Sequence, residues 1–149
     1  MDEQERTERQ MAELLQELRV ALPGVQILFA FLLTVPFAQG FTRVTSFQRN
    51  LFFATLLFTA LSTACLIAPT ATHRLRFHQR DRTFVIESAH KLMIAGLGFL
   101  ALAILGAVAL ITDYLYDGGA RWIWPGLVAL VLAILWFIRP LARSDSSGP

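Results

Sequence analysis

Glu87 and His90 stand three residues apart in the segment Glu87–Ser88–Ala89–His90. On a helix that spacing puts both side chains on one face, which is half of the pattern that holds a carboxylate-bridged di-metal centre. The other half is missing. No second Glu-x-x-His occurs, and Glu13 and Glu17 could contribute only if the first helix folded back. His73 and His90 flank the same basic strip and could together ligate a haem, but both lie at the ends of apolar blocks and not deep inside them. No Gly-x-Ser-x-Gly turn supports a Ser–His–acid hydrolase. The expectation is therefore a protein that is not an enzyme and carries no metal or cofactor.

Two readings of the cluster His73, Arg74, Glu87, His90 and Lys91 remain. In one it is an interfacial basic collar that fixes the depth of the neighbouring helices by snorkelling and by contact with lipid phosphate. In the other it is a proton relay, because histidine changes charge near neutral pH and an acid stands beside His90. The collar is preferred. No Asp, Glu, Lys or Arg lies at the middle of any apolar block. Such a residue costs roughly 2.5–3.5 kcal/mol on insertion scales, and proton-coupled transporters commonly retain one.

The elements that position this cluster are apolar. The chain has 149 residues and is 55% hydrophobic, with mean hydropathy +0.54. Its apolar residues collect in four blocks, each near the ~20 residues a helix needs to cross a bilayer. The expected fold class is all-α: an integral membrane protein with four transmembrane helices in two hairpins, preceded by an amphipathic amino-terminal helix. A net charge of +2 gives no support to nucleic-acid binding. The partners expected are the lipid bilayer and, beyond it, a second copy or another membrane protein. The single cysteine, Cys65, cannot form an intrachain disulfide and reads as a small packing residue. The amino terminus is acidic and lacks the basic-then-apolar order of a cleavable signal.

In chain order, residues 1–23 read as a polar segment and an amphipathic helix. Met11, Leu14, Leu15, Leu18 and Leu22 form its apolar stripe. It either lies in the membrane interface or packs on the protein. Pro23–Gly24 is expected to bend or break the chain. The membrane domain is expected over 24–140, with spans near Gly24–Phe41, Leu51–Ala68 (closed by Pro69), Leu92–Thr112 and Trp122–Ile138. A flexible tail follows at 141–149. Pro36 suggests a kink, and Ala30, Thr34 and Ala38 repeat at four-residue spacing as a surface for close packing. Thr55, Thr59 and Thr63 form a hydroxyl stripe in the second span, read as helix contact and, failing that, as the lining of a solute path. On the third span Ala95, Gly98, Leu102, Gly106 and Ala109 share one face, which is the expected seam of the bundle. Tyr114, Tyr116, Trp122 and Trp124 surround the Gly118–Gly119 turn, as aromatic residues do at a membrane surface.

The basic connector at 70–91 sets the expected topology. With four spans, the amino terminus, the connector and the carboxy terminus share a side. That side holds Arg6, Arg9, Arg19, Arg74, Arg76, Arg80, Arg82, Lys91, Arg139 and Arg143, against Arg43, Arg49 and Arg121 on the other. Positive residues stay inside, so both termini are expected in the cytoplasm and the protein in the inner (plasma) membrane.

The stretch LLQELRVALPGVQILFAFLLTVPF (Leu14–Phe37) resembles a family of small actinobacterial membrane proteins grouped as a domain of unknown function, some of whose members carry an automatic sodium:proton antiporter label. The likeness continues through Leu66–Pro69, His73–Arg74 and His90–Lys91 and covers most of the chain from Gln10 onward. Pro23 and Lys91 depart from the commoner Thr and Arg of that pattern. The resemblance implies a four-helix membrane protein and no established activity. The functional expectation is an accessory or assembly subunit, or a small oligomeric module. A small proton- or ion-linked transporter using Glu87, His90 and His73 is the alternative.

Overall fold

The computed structural model describes residues 3–75 and 82–138. Every element among them is helical: α1 (Glu3–Thr34), two 3₁₀ turns (Val35–Phe37 and Gln39–Arg43), α2 (Ser46–Leu75), α3 (Arg82–Leu115), a 3₁₀ turn (Gly119–Trp122) and α4 (Ile123–Leu132), which runs on into the π-helical turn Ala133–Ile138. Three stretches are long and apolar enough to cross a membrane: Ala12–Phe37, Ser46–Ala71 and Ser88–Leu115. The fourth apolar helix, Ile123–Trp136, is shorter.

Two prolines do not act as the sequence leads one to expect. α1 is a single helix of 32 residues with Pro23 inside it, so the amphipathic segment and the first apolar block are continuous. Pro23 removes one hydrogen bond, to the carbonyl of Arg19. Both residues are exposed, so the ring meets no packed neighbour. α2 likewise continues through Pro69 to Leu75. Pro69 is buried and Leu66 beside it is fully buried, so packing carries the helix across the missing bond. Pro36 is the proline that stops a helix. It disfavours helical backbone at Val35, α1 ends at Thr34, and Ala38 is extended with ψ 142°. Ala30, Thr34 and Ala38 are all exposed and Ala38 lies beyond the helix, so they form no packing surface within the chain.

The start of α2 is held by a capping box. Thr45 Oγ1 accepts from the Gln48 N–H at 3.2 Å, and Gln48 Oε1 accepts from the Thr45 N–H at 3.1 Å. Two orphan donors of the first turn are satisfied reciprocally. The expected turn at Arg80–Asp81–Arg82 and the 141–149 tail lie outside the described residues, except that Arg82 already begins α3.

The chain divides into two compact units, Met1–Phe41 with Leu56–Leu100, and Thr42–Thr55 with Ala101–Pro149. The core of the first is Leu18, Val25, Leu66 and Met93, with Leu14, Leu15, Ala21, Leu22 and Leu100 packed against it. Four of the five residues of the amphipathic stripe are therefore core residues, and that stripe packs on the protein. The opposite side of α1 leaves Val20, Ile27 and Phe31 exposed. In the second unit Ala103, Ala109 and Thr112 of α3 are buried with Phe52 and Thr55 of α2. The edge of the Phe47 ring meets Trp122, with centroids 6.2 Å apart.

Candidate functional site

Helix seams need small residues and satisfied hydroxyls, because two backbones meet there without water. Both appear where α2 meets α3. In the first unit Ser62 is fully buried and its Oγ donates to the carbonyl oxygen of Gly96 at 2.7 Å. A Cβ at Gly96 would stand 2.8 Å from Leu66 Cδ2, so any larger residue there requires the buried Leu66 side chain to shift. Thr59 is fully buried, and Thr63 Oγ1 donates to the Thr59 carbonyl at 2.8 Å. The rings of Phe58 and Phe99 stack with centroids 6.2 Å apart.

The second unit repeats the arrangement. Thr55 is fully buried and its Oγ1 donates to the Leu51 carbonyl at 2.7 Å. A Cβ on Gly106 would collide with that same Oγ1. Thr55, Thr59 and Gly106 thus stand where a tight seam needs them. Gly98 does not: a Cβ there would meet nothing within 4 Å. Ala95 and Leu102 are exposed as well. On α3 the packed positions are instead Ala89, Met93 and Gly96 in the first unit, and Ala103 and Gly106 in the second.

A polar cluster that the sequence reading passed over lies in the second unit. Asp113, near the end of α3, has a side chain only 8% exposed. Its Oδ1 accepts from Arg121 Nη1 at 3.0 Å and its Oδ2 from Gln48 Nε2 at 3.0 Å. Both carboxylate oxygens are engaged, by the first turn of α2 and by the turn that precedes α4. The Arg121 guanidinium also lies 5.6 Å from the Trp122 ring centroid, a cation–π distance. The Thr45-x-x-Gln48 signature of a capping box was the available signal for this corner. The partnership with Asp113 spans 65 residues and no local pattern carries it. Tyr114, Tyr116, Trp122 and Trp124 are exposed around the turn, as an interfacial aromatic belt requires.

The titratable cluster is placed more sparsely. His73 and Arg74 fall in the last turn of α2, and Glu87 falls near the start of α3, with side chains outside the described residues. His90 and Lys91 are exposed on α3. Among the described residues no three His, Cys, Asp or Glu side chains gather as metal ligands.

Chemically, the seam hydroxyls are spent on carbonyl oxygens and the Asp113 carboxylate on two donors. These groups hold helices. Neither the curated proteins nor the solved structures include a match to this chain. One family model does match, over residues 2–140, and by it the chain belongs to the family of unknown function DUF6328.

Proposed function

We propose that this protein is a multi-pass membrane protein whose role is non-enzymatic, as an accessory or assembly subunit or a small oligomeric module. α4 with its π-helical continuation would make the fourth span. It has 16 residues, Ile123–Ile138, or about 24 Å at 1.5 Å per residue, somewhat short of ~30 Å of hydrocarbon. A locally thinned bilayer and the flanking Trp122 and Arg121 accommodate the difference. The charge count puts both termini in the cytoplasm of a bacterial inner membrane. The basic cluster His73, Arg74, Glu87, His90 and Lys91 then serves as a collar at the cytoplasmic surface.

One observation carries the functional side of this reading. Thr55, Thr59 and Ser62 are fully buried; in the first unit the Ser62 hydroxyl donates to the Gly96 carbonyl, and in the second the Thr55 hydroxyl donates to the Leu51 carbonyl of its own helix beside Gly106. A solute path would keep such hydroxyls wet. The test is reconstitution in vesicles with a pH gradient, following Na⁺ and K⁺ movement, alongside mass measurement in mild detergent. An assembly role expects a defined complex and no flux. A flux present in the wild type and absent in His90→Gln would overturn it and move Glu87 and His90 into a proton relay.

A further inference from the structure

Gln26 stands on α1 inside the apolar stretch Ala12–Phe37. It lies seven residues beyond Arg19, about 10 Å along a helix rising 1.5 Å per residue. The side chain is exposed, on a flank of α1 roughly 100° round the helix from the buried Leu18, Val25 and Leu32. No hydrogen bond reaches its amide among the described residues. If α1 crosses the membrane, this amide faces acyl chains, which offer neither donor nor acceptor, and an unpaired amide there is costly.

We propose that Gln26 pairs with Gln26 of a second copy of this chain, across a two-fold axis parallel to the membrane normal. The inference rests on the membrane reading above. Three features favour a second copy as the occupant. First, a glutamine amide carries both donors and an acceptor, so two identical residues satisfy one another. Second, copies inserted by the same charge rule are parallel, and such an axis sets each residue at the depth of its own counterpart. An unrelated partner would need a polar group at that same depth by coincidence. Third, the face permits approach. Pro23 and Ala30 stand near it at i−3 and i+4 and are exposed, as is the larger Leu33 at i+7; Thr34, further round at i+8, has its hydroxyl already used, donating to the Phe31 carbonyl at 2.7 Å. A self-complementary amide with a small neighbour such as Ala30 one turn away is a pairing that a membrane helix dimer uses.

The experiment uses the full chain on a Cys65→Ser background in native membranes. Gln26→Cys and Ala30→Cys should form disulfide-linked dimers under mild oxidation, and Phe31→Cys, exposed on a different face, should not. Gln26→Leu should weaken dimerisation in detergent by roughly 3- to 30-fold, read from mass distribution against protein concentration. A thiol at position 26 that resists a membrane-impermeant reagent but forms no dimer overturns the pairing alone. Equal linkage at Phe31→Cys, an unchanged dimer in Gln26→Leu, or linkage at position 26 to a different protein also overturns it. Ready modification at position 26 by the impermeant reagent places α1 outside the hydrocarbon, and then the membrane reading fails first and the pairing with it.

Discussion

Gln48 Nε2 donates to Asp113 Oδ2 at 3.0 Å while Gln48 Oε1 caps the first turn of its own helix. One amide thus satisfies a helix start and a carboxylate 65 residues away. Asp113 gives its other oxygen to Arg121. The three residues are expected to act as one fastening at this end of α2 and α3, and their contributions to be unequal. Asp113→Ala strands Gln48 Nε2 in a buried place and should destabilise the protein by about 1–3 kcal/mol. Arg121 is 42% exposed, so Arg121→Ala leaves a carboxylate that water can reach and should cost less. Thermal unfolding in detergent orders the two. A larger loss in Arg121→Ala would mean that the ion pair, and not the amide, holds the corner.

Gly106 and Gly98 make a matched pair of tests eight residues apart on α3. At Gly106 a methyl group meets Thr55 Oγ1, and at Gly98 it meets nothing. Gly106→Ala should therefore cost about 1–3 kcal/mol through overpacking. Gly98→Ala should be neutral or slightly stabilising, because alanine is the better helix former. Adding Thr55→Ala to Gly106→Ala should recover part of the loss, since the two residues are in contact and do not add independently. Equal stabilities for the two single variants would place Gly106 away from the seam.

Ser62→Ala tests the same seam through a hydrogen bond. The Ser62 hydroxyl is the inter-helix donor to the Gly96 carbonyl at 2.7 Å. Its loss should cost about 0.6–2 kcal/mol, the range found for such bonds between membrane helices. Ser62→Cys and Ser62→Thr should separate bonding from size. Threonine keeps the donor but adds a methyl group in a fully buried place, so it should fare no better than alanine. A stability unchanged in Ser62→Ala would show that the carbonyl of Gly96 needs no partner beyond its own helix.

Helical class, the apolar stretches and the glycine–threonine character of the seam were legible in the sequence because each depends on composition or on local period. The stripe through Leu14, Leu18 and Leu22 was legible too, although its destination was not: whether it met lipid or Leu66 and Met93 is a tertiary question. The errors share a cause. Pro23 and Pro69 were expected to break helices on intrinsic preference, and helix continuity across a proline depends on what surrounds it. The seam face was drawn through Gly98 in place of Gly96 because both are glycines in one helix, and a difference of two residues reverses the side. Asp113 read as the polar edge of a turn, since nothing local to it announces Gln48.

The last expectation concerns which side each turn occupies. On a Cys65→Ser background, single cysteines at Asn50 and Asp117 should react with an impermeant reagent added to intact cells. A cysteine at Gln10 or Gln79 should react only after the membrane is opened. Asn50, near the start of α2, and Asp117, in the turn after α3, are both exposed, so a negative result at either cannot be blamed on burial in the protein. Asp117 is the better probe than the neighbouring Gly118, whose φ of +82° a cysteine would strain. The physical basis is the distribution of thirteen basic residues, of which ten fall on the side assigned to the cytoplasm. Two arms check whether charge is the cause. Arg74→Gln with Arg76→Gln should raise the misoriented fraction, and His73→Gln with His90→Gln should not, because the orientation rule counts Lys and Arg. The reverse pattern, with Gln79 labelled in intact cells and Asn50 protected, would invert the topology and put the basic connector outside. Labelling of both Asn50 and Gln79 in intact cells would mean that α2 does not cross the membrane.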